Sequence, residues 1–95
     1  MITGYTASPD VINKLTWVIL QHDSRISYID DLKAFHFGSN YIVEVDLVLP
    51  EGIEFRESHD IGETLQLKLE KLDDVERAFV HVDYECGYKH HLTRL

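Results

Sequence analysis

Hydrophobic and polar positions in this chain follow two periods, one helical and one of two residues, and their order predicts five elements. From Ser8-Pro9-Asp10, the residues Val11, Ile12, Leu15, Val18 and Ile19 recur at helical spacing. A serine cap, a proline in the first turn and an early acid mark the start of a helix. The stripe predicts that it ends near Gln21-His22, followed by a turn at His22-Asp23-Ser24. Over Ile26–Phe37, Leu32 and Ala34 alternate with Asp31, Lys33 and Phe35, which predicts a strand. Gly38-Ser39-Asn40 breaks the run as a hairpin would. Tyr41–Leu49 alternates most cleanly. Tyr41, Val43, Val45, Leu47 and Leu49 share one face; Ile42, Glu44, Asp46 and Val48 share the other. Pro50-Glu51-Gly52 closes it.

A second helix is predicted over Phe55–Leu72, with a stripe of Ser58, Ile61, Gly62, Leu65, Leu69 and Leu72. Gly62 costs about 1 kcal/mol relative to alanine in a helix, so its presence predicts close packing against a sheet. After the turn Asp73-Asp74 comes a last strand, Val75–Cys86, in which Ala78, Val80 and Val82 alternate with Phe79, His81 and Asp83. The tail from Gly87 has no pattern and is expected to be mobile. The order is α-β-β-α-β. Each helix has one apolar stripe, so both are expected on one face of a three-stranded sheet, with a crossover through the second helix. The other face carries Ile42, Val48 and Phe79 beside Glu44, Asp46, His81 and Asp83. Apolar groups on an uncovered face call for a partner, most simply a second copy of the chain.

Ninety-five residues suit one domain, 1–95, with an ordered core over about 6–88 and a mobile tail at 89–95. The net charge of −8 argues against nucleic acid as a partner, because phosphate binding needs a cationic footprint. An acidic surface suits solubility, and it is also compatible with cations. The one cysteine, Cys86, excludes an internal disulfide and fits a reducing compartment. The longest apolar runs, such as Trp17–Leu20, are far shorter than the roughly 20 residues of a membrane span. The first residues lack the basic and apolar segments of a secretory signal.

No phosphate loop, nucleophile elbow or His-Glu-x-x-His helix is present, and nothing nominates a base for Cys86, so an enzyme is not expected. The remaining chemistry lies in His81 and Asp83, which share one strand face, and in His59-Asp60 on the second helix. Imidazole and carboxylate are both ligand types for divalent metals. Such a pair on a strand is also an ordinary solvated polar face, and His59 can equally be a surface residue bonded to a neighbouring carboxylate. His36, at a strand end, reads as structural; His90-His91 lie in the tail as adventitious ligands.

Four stretches, IDDLKAFHFG, YIVEVDLVLP, HDIGETLQLKLEKL and VERAFVHVDYEC, together resemble the cytosolic C-terminal domain of cation diffusion facilitator transporters. Within that family they are most similar to the manganese-type branch, the plant and fungal metal tolerance proteins. The resemblance runs from about Thr6 to Tyr88. It implies an α+β fold, the αββαβ metallochaperone-like (ferredoxin-like) open sandwich, with a three-stranded mixed sheet and two helices on one face. It implies a homodimer on the cytosolic face of a vacuolar, Golgi or other endomembrane. It also implies transmembrane helices upstream that exchange divalent cations for protons.

The resemblance further implies a ligand set. His81 and Asp83 match last-strand ligands of zinc-transporting members, and His59 matches a helix histidine. Asp30 and Asp46 stand where those members carry histidines. Carboxylates in place of imidazoles favour harder cations, so Mn²⁺ is expected ahead of Zn²⁺. Asp30 shares parity with Leu32 and Ala34, so only a bulge or a strand edge can bring it to the acidic face. Two other readings stand beside this one. One is a dimerisation scaffold without metal. The other is a free-standing metal-binding module, against which the missing Cys-x-x-Cys loop counts.

Overall fold

A computed structural model describes residues 7–85. Cys86, the tail and its His90-His91 lie outside those residues. The elements are α1 (Pro9–His22), β1 (Tyr28–Phe37), β2 (Asn40–Leu49), α2 (Phe55–Glu70) and β3 (Val75–Tyr84). Both helices and all three strands stand where the two periods placed them.

The element ends differ in informative ways. Ser8 occupies the N-cap position of α1, but its side chain makes no capping bond. Only its carbonyl is used, accepting from the Ile12 amide at 3.1 Å. Ile26 and Ser27 precede β1, although the Ser27 amide already donates to the Val48 carbonyl at 2.8 Å. The last turn of α2 closes at Lys71, so Leu72 lies past the helix while still packing on the core. The β1–β2 hairpin has two central residues, Gly38 and Ser39. Gly38 has φ 63° and Ser39 does not have a positive φ, the pattern of a type II′ turn whose twist matches the flanking strands.

The sheet order is β1-β2-β3. β1 and β2 are antiparallel; β2 and β3 are parallel, joined by the crossover through α2. β2 is therefore the central strand, and its residues Val43, Val45, Leu47 and Leu49 are completely buried. They meet Leu15 and Ile19 of α1 and Ile61, Leu65 and Leu69 of α2 in one cluster, closed by Ala34, Val75 and Ala78. Burying a leucine or isoleucine side chain contributes about 1.5–3 kcal/mol, so this single layer between helices and sheet holds the fold. Gly62 allows α2 its close approach. A Cβ there would lie 3.3 Å from Cγ2 of Val82 on β3. Ser58, also buried, ties the same two elements: its hydroxyl donates to the Phe55 carbonyl and accepts from the Tyr84 hydroxyl, both at 2.8 Å.

The face away from the helices matches the one expected. Phe35, Ile42 and Arg77 form one cross-strand row, Lys33, Glu44 and Phe79 the next, and Asp31, Asp46 and His81 a third. Val48, in the row with Tyr28 and Asp83, is only 5% exposed although it points to this face.

Candidate functional site

Register decides which acids reach the open face. Asp46 on β2 pairs with His81 on β3, and Asp83 follows in the next row of the same face. Three of the five expected ligands, Asp46, His81 and Asp83, thus share one surface. Asp30 sits in a break of register: Ile29 pairs with Leu47 and Asp31 pairs with Asp46, so Asp30 is the inserted residue of a bulge. The extra residue keeps Ile29 packed on the core while Asp31 faces Asp46. It leaves Asp30 exposed at the bulge. The carboxylate that strand pairing sets beside Asp46 is therefore Asp31, which alternation alone left among ordinary outward residues. Asp31 also pairs with Lys33 at 3.5 Å, two residues along the strand on the same face.

Two carboxylates directly opposite on adjacent strands repel, a destabilising arrangement unless a cation or proton intervenes. His81 on the other side of Asp46 completes a row of two oxygen donors and one nitrogen donor across the three strands.

His59 stands elsewhere, on α2. With His81 it lines an open groove of about 460 Å³ between α2 and the free edge of β3; Ser58, Gly62, Glu63 and Tyr84 also line it. His59 is closest to its own helix neighbours. Its Nδ1 is 3.7 Å from Asp60 Oδ1 and 3.9 Å from Glu63 Oε1. Among the described residues, these three form the group whose ligand atoms all lie within 4.8 Å of one another, and all three are exposed. Glu63 escaped the sequence reading, although its i,i+4 spacing from His59 was the signal. His59, Asp60 and Glu63 offer one imidazole and two carboxylates, a donor set that suits Mn²⁺ or Zn²⁺. In one protomer the structure does not bring His59 together with Asp46 and Asp83.

Two groups at the end of α1 have displaced ionisation. The Arg25 guanidinium donates to the Asp23 carboxylate from Nε at 3.0 Å and from Nη2 at 2.9 Å, and the Arg25 amide donates at 2.9 Å. Those bonds hold Asp23 down at about 2. His22 is also lowered, by burial first and then by the nearby Lys68 charge. His36, expected to be structural, is exposed and packs against Tyr41 with the rings tilted by 40° and their centroids 4.8 Å apart.

Two helices on one face of a three-stranded mixed sheet, in the order αββαβ, is the fold of the cytoplasmic domains of cation efflux proteins. The family described as cation efflux protein, cytoplasmic domain, matches residues 7–85, and this chain belongs to it. It is 55% identical over 88 residues to metal tolerance protein 10 of Arabidopsis thaliana, covering 93% of this chain and 21% of that protein. Metal tolerance protein 5 of Oryza sativa subsp. japonica is 51% identical over the same share of each. The chain thus spans about a fifth of the length of the curated relatives it matches. A structure of CzrB, a candidate zinc transporter, superposes with a TM-score of 0.76 at 21% identity, covering 84% of this chain and 99% of that one. A cadmium form of a MamM CTD variant superposes at 0.74 and 16% identity, covering 82% and 98%. At those identities the likeness establishes the fold. No helix among the described residues is long and apolar enough to cross a membrane.

Proposed function

We propose that this chain is the cytosolic dimerisation and regulatory domain of a divalent-cation/proton antiporter that exports Mn²⁺ from the cytosol into an endomembrane compartment. The observation that carries the reading is the row Asp31–Asp46–His81 across the open sheet face, with Asp83 beside it. Two opposed carboxylates next to an imidazole bind a divalent cation favourably because the ion relieves their repulsion, and an oxygen-rich set favours Mn²⁺. The family, and the relatives named as metal tolerance proteins, support the transport setting. The zinc form of CzrB and the cadmium form of the MamM CTD support metal binding on this fold.

The same face supports self-association. Phe79 and Tyr28 expose apolar surface there amid the acids, and two copies meeting on it would bring two acidic rows together. Cation binding then favours whichever arrangement of the two copies holds the metal more tightly. Within one protomer the expected ligands do not close around a point, which favours a site completed by the second copy. Asp30 and His59, at the bulge and on α2, are peripheral ligands in this reading.

Calorimetric titration of the chain with MnCl₂ and ZnCl₂, alongside small-angle scattering, tests it. Mn²⁺ binding that is weakened at least about tenfold in Asp46→Asn and His81→Ala, with a change of dimer shape, is expected, since each ligand is worth more than about 1.4 kcal/mol. No binding of either metal at millimolar concentration, with an intact dimer, leaves a scaffold that does not sense metal.

A further inference from the structure

The mechanism above makes no use of His22, the last residue of α1. Its Nε2 lies 2.9 Å from Oγ1 of Thr64 on α2. The Thr64 hydroxyl already donates to the Asp60 carbonyl, one turn back, at 2.7 Å. The threonine oxygen must then accept, so the proton of a neutral His22 sits on Nε2 and Nδ1 carries a lone pair. That Nδ1 is shut off from water and, among the described residues, has no hydrogen-bond partner. An orphaned acceptor is a modest penalty. A proton placed there would make the ring a buried cation with only the Ile61 carbonyl to help hold it, which is far costlier.

We infer that the His22–Thr64 contact is a proton-sensitive clasp that holds α1 on α2 when His22 is neutral and releases as acid protonates it. The surrounding charges favour release. Lys68 on α2 repels a second cation, and it is the charge that acts with burial to lower the His22 pKa. A backbone hydrogen bond with Ile61, and less so the Asp23 charge, pull the other way, more weakly. Asp23 is engaged by Arg25, which also reaches Glu57 of α2 at 3.8 Å, so its charge is largely spoken for. Asp23 stays ionised throughout the range in which a histidine titrates.

His22 is lowered from 6.5 in the folded chain, so folded and unfolded forms bind equally few protons well above 6.5 and the clasp is fully held there. As pH falls below 6.5 the released form takes up the proton first, and the clasp weakens until the folded form is protonated too. Release frees the C-terminal end of α1, while Leu15 and Ile19 keep the helix body in the core. The device adds a proton input to a domain otherwise read as responding to metal.

Two measurements on the whole 95-residue chain test it. Imidazole ¹⁵N spectra are expected to show His22 as the Nε2–H tautomer, titrating below 6.5. Hydrogen-exchange protection of α1 amides, relative to β2, is expected to fall with acid, the opening constant rising by up to about tenfold per pH unit, the limit for one proton. His22→Gln, which keeps a donor but cannot take a proton, is expected to abolish that dependence. A His22 that titrates at or above 6.5, or the same acid loss of α1 protection in His22→Gln, overturns the proposal. The spectra use only the wild-type chain, so the test holds even if the variant folds poorly.

Discussion

Single residues explain how the ends of α1 and the start of β1 are fixed. Asp23 gains three hydrogen bonds from Arg25, and these, more than bulk charge, keep it ionised down to about 2. Because its folded pKa lies below the ordinary 3.8, the stabilisation is fully present above 3.8 and is lost as pH falls from there through about 2. Acid unfolding followed by circular dichroism is expected to lose part of its dependence in that window when Asp23→Asn is introduced. The residue scale also shows where reading from sequence runs out. His81 and Asp83 could be picked out because alternation alone puts them on one face. His22 could not, because its unusual state comes from Thr64 and Lys68, more than forty residues away in the chain.

At the scale of elements, Gly62 was expected to mark close packing, and the 3.3 Å approach to Val82 is that packing. The approach is also a sensitive one. Gly62→Ala gains helix propensity of about 1 kcal/mol but pushes on a strand side chain, so the two effects nearly cancel. Gly62→Leu presses more bulk against Val82 and Val80 and is expected to destabilise the chain by roughly 1–3 kcal/mol, measured by urea unfolding. β1 teaches a different lesson. Strict alternation put Asp30 with Leu32 and Ala34, and only a bulge or a strand edge could move it. The bulge exists, and its consequence is that Asp31 takes the place opposite Asp46. A bulge depends on what the partner strand demands, here Ile29 against Leu47 and the core, and so was not legible from β1 by itself.

For the whole molecule, the uncovered sheet face is the feature with consequences. Phe79 is 39% exposed there, and the Arg77 guanidinium lies 5.4 Å from its ring centroid, a cation–π contact on this face. Self-association through this face predicts that Phe79→Glu converts dimer to monomer in sedimentation, with the thermal midpoint of the monomer fold little changed, since Phe79 takes no part in the core. Retention of the dimer would move the interface away from the β3 side of this face. Trp17, exposed on the outer side of α1, lies on a different surface and serves as a spectroscopic control.

The sequence by itself determined the five elements, their order, the helix-covered face and the pairing of His81 with Asp83, because those depend on local periods of two and 3.6 residues. Four matching stretches also carried the family. Tertiary structure decided which carboxylate meets Asp46, that His59 joins Asp60 and Glu63 and lines a groove with His81, and that His22 holds an orphaned nitrogen. Each of those rests on register or on packing between elements distant in the chain. Local pattern specifies which way a side chain points and leaves open what it meets there.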